Sequence, residues 1–125
     1  MGKTIFKIFL LFFINFQPET YSNNKLILSC TNIENNSMHS FIIYSDYKVI
    51  NVLPNGYEFD YIIENESPDS LVSYFYQIND NLIKKFVLSF NLKENILYDE
   101  MYEGNTPESL ILKDKKTFEC KNDKR

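Results

Sequence analysis

Apolar and polar residues alternate along much of the chain with a period of two. In YEFDYIIE (57–64), every second residue from Tyr57 to Ile63 is apolar and acidic residues lie between them, with Ile62 as the exception. In KFVLSFNL (85–92), the same alternation places two phenylalanines and two leucines on one face. Such alternation predicts half-buried strands of an antiparallel sheet.

Clusters of turn-forming residues interrupt these runs at fairly even intervals. They are ENNS (34–37), SDY (45–47), LPNG (53–56), ESPDS (66–70), NDN (79–81), KEN (93–95) and GNTPES (104–109). The spacing predicts eight strands, at about 24–31, 38–44, 47–53, 57–64, 71–78, 82–92, 96–103 and 110–120. Because the connections are short, successive strands should be antiparallel neighbours. We therefore expect an all-β, antiparallel up-and-down meander.

The N-terminal residues have the three parts of a secretory signal peptide. Lys3 and Lys7 precede the apolar run IFLLFFINF (8–16), and a polar segment follows it. The run falls short of the ~20 apolar residues that a membrane-spanning helix needs. We expect an N-terminal signal-peptide helix over 1–22, cleaved after Ser22. A buried helix of the fold and an uncleaved anchor are the alternatives.

Charge narrows the range of partners. Removal of 1–22 leaves 11 Lys and Arg against 16 Asp and Glu, a formal charge of −5. Residues 23–120 would then form one β-barrel-like domain, followed by a basic tail over 121–125. An acidic chain of this kind is a poor ligand for nucleic acids and anionic membranes. We expect a secreted or periplasmic monomer with no nucleic-acid partner and no stable membrane anchor after cleavage.

The role of Cys30 has four possible answers. A lipid anchor requires the apolar run directly before the cysteine, whereas here the polar segment 17–25 intervenes. A closed zinc site needs about four ligands, and a thiol nucleophile needs a base. The single histidine, His39, lies in a predicted strand and has the pattern of a structural side chain. An even number of cysteines in an exported chain favours a disulfide between Cys30 and Cys120.

That disulfide carries a prediction about architecture. It would bring together the first and last predicted strands, because the two Cα atoms of a disulfide lie ~5.5 Å apart. A meander whose end strands are neighbours is a closed or nearly closed barrel. A curled single sheet with its ends pinned together is the alternative.

Catalytic motifs are absent from the sequence. The three glycines are too scattered for a phosphate-binding loop, and neither a G-x-S-x-G elbow nor an H-E-x-x-H pair occurs. Asp99 and Glu100 are adjacent and should point to opposite faces of a strand. We expect no enzyme, cofactor or metal site. A carboxylate-dependent hydrolase is the least favoured of the functions considered.

Tyrosines are distributed across the predicted strands. Core packing and cross-strand pairing are their usual roles. The more specific hypothesis is that some of them line a barrel mouth or a binding face. The candidate contacts for a ligand or partner are Tyr57, Tyr61, Tyr74, Tyr76 and Tyr98.

Two loops share a local pattern. SPDSLV (67–72) and TPESLI (106–111) each combine a hydroxyl residue, a proline, an acid and a serine before two aliphatic residues. A hydroxyl cap and a proline at the first position would start one helical turn in each. The functional hypothesis is a pair of equivalent loops at one rim of the barrel. The alternative is two similarly built connections.

The layout of signal peptide, Cys30 in the first strand, eight-strand meander and Cys120 in the last strand resembles a group of small secreted proteins. These are uncharacterised lipocalin-like β-barrel proteins of AT-rich bacteria. The chain has no tryptophan, so no lipocalin ligand residue is transferred to it. The resemblance implies a secreted or periplasmic, non-enzymatic binding or interaction domain with an unknown protein or small-ligand partner. The alternative is a small-ligand carrier with a hollow barrel.

Overall fold

The computed structural model describes residues 25–123, so the predicted signal peptide lies outside the described residues. Eight strands follow one another along this part of the chain. They are β1 (Lys25–Asn32), β2 (Met38–Tyr44), β3 (Lys48–Val52), β4 (Glu58–Glu66), β5 (Ser70–Asn79), β6 (Leu82–Asn91), β7 (Ile96–Gly104) and β8 (Ile111–Asn122). A single 3₁₀ turn, η1 (Pro107–Ser109), precedes β8. The predicted strands are confirmed, with ends that shift by at most two residues.

The strands form a closed antiparallel barrel in which each strand pairs with its neighbours in sequence. Closure comes from the pairing of β1 with β8, in a register that runs from Leu28 opposite Asn122 to Asn32 opposite Phe118. The all-β meander and its barrel closure are therefore confirmed. Because Asn122 is paired, β8 extends into the segment that the sequence suggested as a basic tail. Within residues 25–123, no helix is long and apolar enough to cross a membrane.

The turns are built by short polar side chains in the left-handed region of φ. Four of the tight connections each place one Asn or Asp at positive φ, namely Asn36, Asp46, Asp80 and Asn95. Asn and Asp tolerate this conformation better than other residues with a Cβ atom. In the LPNG turn, Gly56 has φ of 93° and donates its N–H to the Leu53 carbonyl. The turn clusters of the sequence thus supply the backbone geometry that reverses the chain.

The two ends of the barrel differ in their filling. At one end, here called the core end, lie the β2–β3, β4–β5 and β6–β7 loops. Apolar side chains fill the interior from this end to the middle of the barrel, and the largest fully buried ones include Phe41, Leu71, Leu97 and Phe118. The other end, the cavity end, carries the β1–β2, β3–β4, β5–β6 and β7–β8 loops. The barrel is therefore packed over one half of its length and hollow over the other.

The two loops with a shared sequence pattern lie at opposite ends of the barrel. Segment 67–70 joins β4 to β5 at the core end, whereas 106–109 joins β7 to β8 at the cavity end. Only the second forms a helical turn, in which Thr106 and Ser109 make a capping box. The hypothesis of two equivalent loops at one rim is wrong, because an odd number of strand reversals separates the two connections.

Candidate ligand cavity

A cavity of about 390 Å³ occupies the cavity end of the barrel. Side chains from all eight strands line it, and the β1–β2 loop contributes Asn35 and Ser37. Its volume lies at the lower end of the range that is usual for small-molecule sites, and its lining mixes apolar with polar groups as such sites do. An eight-stranded barrel has an interior of the size that can hold one small ligand.

Aromatic rings form one wall of the cavity. Phe75 on β5 and Phe86 on β6 are cross-strand partners whose rings stack with centroids 4.7 Å apart. Tyr61 on β4 meets Phe75 edge to face at 4.8 Å, and Phe59 lies parallel to Phe75 at 6.1 Å. All four side chains are among those that line the cavity. The alternation of β4 places Phe59 and Tyr61 inward together, because residues two apart share a face.

Polar side chains on the adjacent strands β2, β3 and β4 line the cavity next to this wall. The Nδ1 atom of His39 lies 3.2 Å from Oδ1 of Asn51, so that in this arrangement the imidazole N–H donates to the amide oxygen. The ring of His39 also packs edge to face on Phe118, at 5.0 Å between centroids. Burial raises the pKa of Tyr61, and the negative charge of Asp99 adds to this effect, whereas the Asn51 side chain, as a hydrogen-bond donor to the Tyr61 oxygen, opposes it. The Tyr61 hydroxyl therefore stays protonated at neutral pH and can donate a hydrogen bond.

Two carboxylates enter the cavity from adjacent strands, and their surroundings differ. Asp99 on β7 is opposite Lys116 on β8 in the strand register. However, Nζ of Lys116 donates to Oδ2 of Asp114 at 2.8 Å. That hydrogen bond lowers the pKa of Asp114 and raises the pKa of Lys116. The Lys116 ammonium is therefore engaged by Asp114, and it attracts Asp99 only from a longer distance.

Asp99 is consequently a partly buried acid with no direct partner in the part of the chain that the structure describes. Within residues 25–123, no group donates a hydrogen bond to its carboxylate, and it forms no ion pair. Burial raises the pKa of Asp99 to about 6, and the charges of Asp114 and Glu100 act in the same direction while Lys116 opposes them. A perturbed acid in a cavity marks a candidate functional site. Near neutral pH this group carries a negative charge that forms no ion pair with another group of residues 25–123.

The structure separates the five candidate tyrosines. Tyr61 is 3% exposed and lines the cavity. The other four do not line it: Tyr74 and Tyr76 lie on the outer face of β5, where Nζ of Lys85 sits 5.4 and 5.7 Å from their rings. Tyr98 is on the outer face of β7 with Lys115, whose Nζ lies 4.6 Å from its ring, and Tyr57 is exposed in the β3–β4 connection. As contacts for a partner, these four outer tyrosines remain a prediction.

The predictions for the cysteines are resolved directly. Cys30 and Cys120 form a disulfide with Cα atoms 4.0 Å apart, and they are opposite each other in the β1–β8 register. The alternatives of a lipid anchor, a metal ligand or a free thiol at Cys30 are thereby excluded. Among residues 25–123, no three His, Cys, Asp or Glu side chains come close enough together to hold a metal ion.

Sequence reasoning did not select Asp99, Asn51 or Lys116 as site residues. A signal for Asp99 was present, because Leu97, Asp99 and Met101 share the inward face of β7 and the acid interrupts an otherwise apolar series. The expected divergence of Asp99 and Glu100 is borne out, since Glu100 pairs with Lys115 instead of entering the cavity. No short stretch of the sequence predicts the cavity itself, since its lining residues come from every strand.

Comparisons of the chain with protein-family models, curated proteins and solved structures find no match. The class of protein is therefore defined by its own fold and site. It is a closed eight-stranded antiparallel barrel of a type suited to binding, crosslinked at its seam and hollow at one end.

Proposed function

We propose that this protein binds a small molecule in the cavity end of its barrel, in the manner of a lipocalin-like carrier. The observation that carries the proposal is the cavity of about 390 Å³, enclosed by the barrel and lined by both aromatic rings and hydrogen-bonding groups. Ligand sites combine a mainly apolar lining with a few placed polar groups, which fix the orientation of the ligand. Here the rings of Phe59, Phe75 and Phe86 would supply contact area, and Tyr61 and His39 the oriented polar atoms.

The filling of the barrel favours a ligand over a purely structural role for the cavity. The core end is packed with large apolar side chains, so the fold has a hydrophobic core without using the cavity end. Protein interiors are normally close-packed by their own side chains, whereas the cavity end leaves a volume of the size that small-molecule sites have. A small molecule placed there would contact side chains from every strand.

We also propose that the protein acts outside the cytoplasm. The Cys30–Cys120 disulfide supports this location, because structural disulfides persist in oxidising compartments and are rare in the cytosol. The basic and apolar N-terminal segment supports it independently. The test is the intact mass of the protein from its native source. Loss of about 22 residues would agree with export, and a full-length chain with two alkylatable thiols would contradict it.

Binding can be tested with N-phenyl-1-naphthylamine, a neutral aromatic probe whose emission rises in apolar surroundings. We expect saturable binding of one probe per chain. Met101→Trp should weaken it severalfold by narrowing the cavity, since Met101 lines it. Tyr76→Trp is the matched control, because Tyr76 lies on the outer face and is 45% exposed.

Two results would contradict the proposal. The first is that Met101→Trp and Tyr76→Trp weaken probe binding equally, or that neither weakens it, which would show that the probe binds to the outer surface. The second is the absence of saturable binding, both of the probe and of every member of a small-molecule fragment library followed by ligand-observed NMR.

A second candidate function is hydrolysis assisted by carboxylates. It is favoured by one observation, namely that Asp99 and Asp114 line the same cavity while their pKa values are displaced in opposite directions. Such divergence is a feature of acid–base pairs in hydrolases. One observation counts against this candidate: the Asp114 carboxylate accepts a hydrogen bond from Lys116 and so is already engaged. Turnover of a 4-nitrophenyl ester or glycoside by the wild type, lost in Asp99→Asn, would support this candidate, and equal rates in both proteins would reject it.

A further inference from the structure

The cavity has an electrostatic asymmetry that restricts the kind of ligand it suits. Lys116 and Asp114 neutralise each other through a contact of 2.8 Å. Asp99 lines the same cavity without a direct partner among the described residues, so it supplies the unneutralised charge. A group that keeps a negative charge while partly removed from water is stabilised by an opposite charge placed beside it.

The aromatic wall suits the apolar body of a ligand. Stacked rings cover part of one another's faces, so these rings supply contact area and the charge preference comes from Asp99. Phe59, Phe75 and Phe86 lie roughly parallel to one another, with interplanar angles of 4° and 13° to the central Phe75. Tyr61, which meets this stack edge to face, is also close enough to Asp99 for the two groups to influence each other's charge. The rings and the carboxylate therefore belong to one site.

Other classes of ligand fit less well. An anion would need a free positive group, and Lys116 is already engaged by Asp114. A metal ion would need several oxygen or nitrogen ligands, and within residues 25–123 no group of three such side chains converges. A wholly apolar ligand would bury the Asp99 carboxylate further without compensating its charge.

Resting on the small-molecule function proposed above, we propose that the ligand is an organic cation, an amine or ammonium compound with an apolar body. Its charged nitrogen lies at Asp99 and its apolar body lies against Phe59, Phe75 and Phe86. Asp99 is the counter-ion that gives the cavity its preference for positive charge. The Tyr61 hydroxyl and the His39–Asn51 pair remain available as hydrogen-bond partners at the side of the ligand.

The test uses a tryptophan reporter, because the chain has no tryptophan of its own. Phe59→Trp places one fluorophore at the cavity, and Tyr76→Trp places one on the outer face with a similar exposure of the native side chain, 43% against 45%. The probes are 2-phenylethylamine, 2-phenylethanol and 3-phenylpropionate, which have similar apolar bodies and differ in charge. Each is titrated at pH 7.5 against the disulfide-bonded protein.

We expect 2-phenylethylamine to bind at least tenfold more tightly than the alcohol or the acid, with a response from Phe59→Trp only. Asp99→Asn in the same background should remove this preference and leave the three affinities within about twofold of one another. Glu119→Gln is the control, because it removes an exposed negative charge from the outer face of β8. It should keep the preference for the amine.

The failure of this inference can be told apart from failure of the small-molecule function. If the alcohol or the acid binds as tightly as the amine, or if Asp99→Asn keeps the preference, the cation assignment is overturned and binding in the cavity stands. If none of the three probes gives a saturable response, the cation assignment is overturned as well. The wider function is then decided by the titration with the neutral naphthylamine probe.

Discussion

Cys30 and Cys120 lie directly opposite each other where the first strand meets the last, and a disulfide joins them. The crosslink therefore coincides with the seam at which the meander closes into a barrel. Every other strand pair is joined by a short loop, whereas the β1–β8 pair spans a sequence separation of 90 residues at the crosslink. The seam has the largest chain-entropy cost of closure, and the disulfide lowers that cost.

Removal of the disulfide should lower stability strongly without changing the fold. In the chain-entropy model, a loop of this length contributes ~4 kcal/mol to the free energy of unfolding. We expect Cys30→Ser with Cys120→Ser to shift the urea midpoint to lower concentration, while the far-ultraviolet circular dichroism of the strands is retained. Reductant should destabilise the wild type and leave the double variant unaffected. Equal midpoints for the wild type with and without reductant would contradict the prediction.

Asp99→Asn should stabilise the protein at neutral pH. The pKa of Asp99 is raised from 3.8 to about 6 by burial, so the folded state holds this proton more tightly than the unfolded state. Its protonation therefore stabilises the fold below pH ~4, and that contribution is lost as pH rises through ~6. The pKa difference corresponds to at most ~3 kcal/mol, and partial solvent exposure reduces this to ~1–2 kcal/mol.

The measurement is the melting temperature of the wild type and of Asp99→Asn at pH 7.5 and pH 4. One kcal/mol corresponds to roughly 4–8 °C for a domain of this size, so the difference at pH 7.5 is readily measured. We expect the difference to shrink towards zero at pH 4, where the wild-type carboxyl is neutral. Glu119→Gln again serves as the control for loss of one acid. A gain in melting temperature that is the same at both pH values would rule out the charge of Asp99 as its cause.

Binding of 2-phenylethylamine should weaken as the solution becomes more acidic. Protonation of Asp99 removes the counter-ion, so affinity should fall as the pH drops through ~6 and approach the affinity of Asp99→Asn at lower pH. The charged or titratable groups around it are Lys116 and Asp114 on β8, Glu100 on its own strand, Tyr61 on β4 and, lining the same cavity, His39 on β2.

The pH series is best run in two proteins. His39→Gln removes the imidazole that lines the same cavity, and it should leave the pH midpoint of binding in place. If the midpoint disappears in His39→Gln, the imidazole and not Asp99 is the cause of the pH dependence of binding. An affinity that is constant between pH 7.5 and pH 5 would exclude both groups.

Ser73→Ala should be neutral or stabilising, although Ser73 is fully buried. Among the described residues, its Oγ is the one buried side-chain oxygen or nitrogen without a hydrogen-bond partner. A buried hydroxyl that makes no hydrogen bond loses its solvation without compensation, so its removal should raise the free energy of unfolding by about 1 kcal/mol. Ser89→Ala on the outer face of β6 should change it by less than ~0.5 kcal/mol. A loss of more than 1 kcal/mol on Ser73→Ala would show that the hydroxyl has a partner.

Local sequence was sufficient for the strands and turns. The alternation from Phe59 to Ile63 is enough to predict β4, because the side chains of a strand point alternately to its two faces whatever strands flank it. Likewise, Asn36 and Asp80 each mark a reversal of the chain, since their side chains tolerate positive φ. Cys30 and Cys120 added the long-range information that the meander closes.

The site depended on information that no local window contains. Asp99 and Lys116 are opposite in register, yet the partner of Lys116 is Asp114, because the side chains two apart on β8 share a face at the cavity end. Which acid Lys116 neutralises follows from side-chain positions, and the composition of the strands does not predict it. Tyr61 lies inside the barrel and Tyr76 outside it. Alternate residues of a strand face opposite sides of the sheet, and only the fold shows which side faces the core.

The sequence by itself thus determined the eight strands, their order and the crosslink between the ends, because each depends on strand periodicity, turn chemistry or cysteine pairing. Only the tertiary structure decided that the barrel is packed at one end and hollow at the other. The volume left inside a closed barrel depends on how side chains from all strands meet at each level along its axis. This volume is a property of the closed barrel, and so the cavity and the position of Asp99 within it became visible only with the fold.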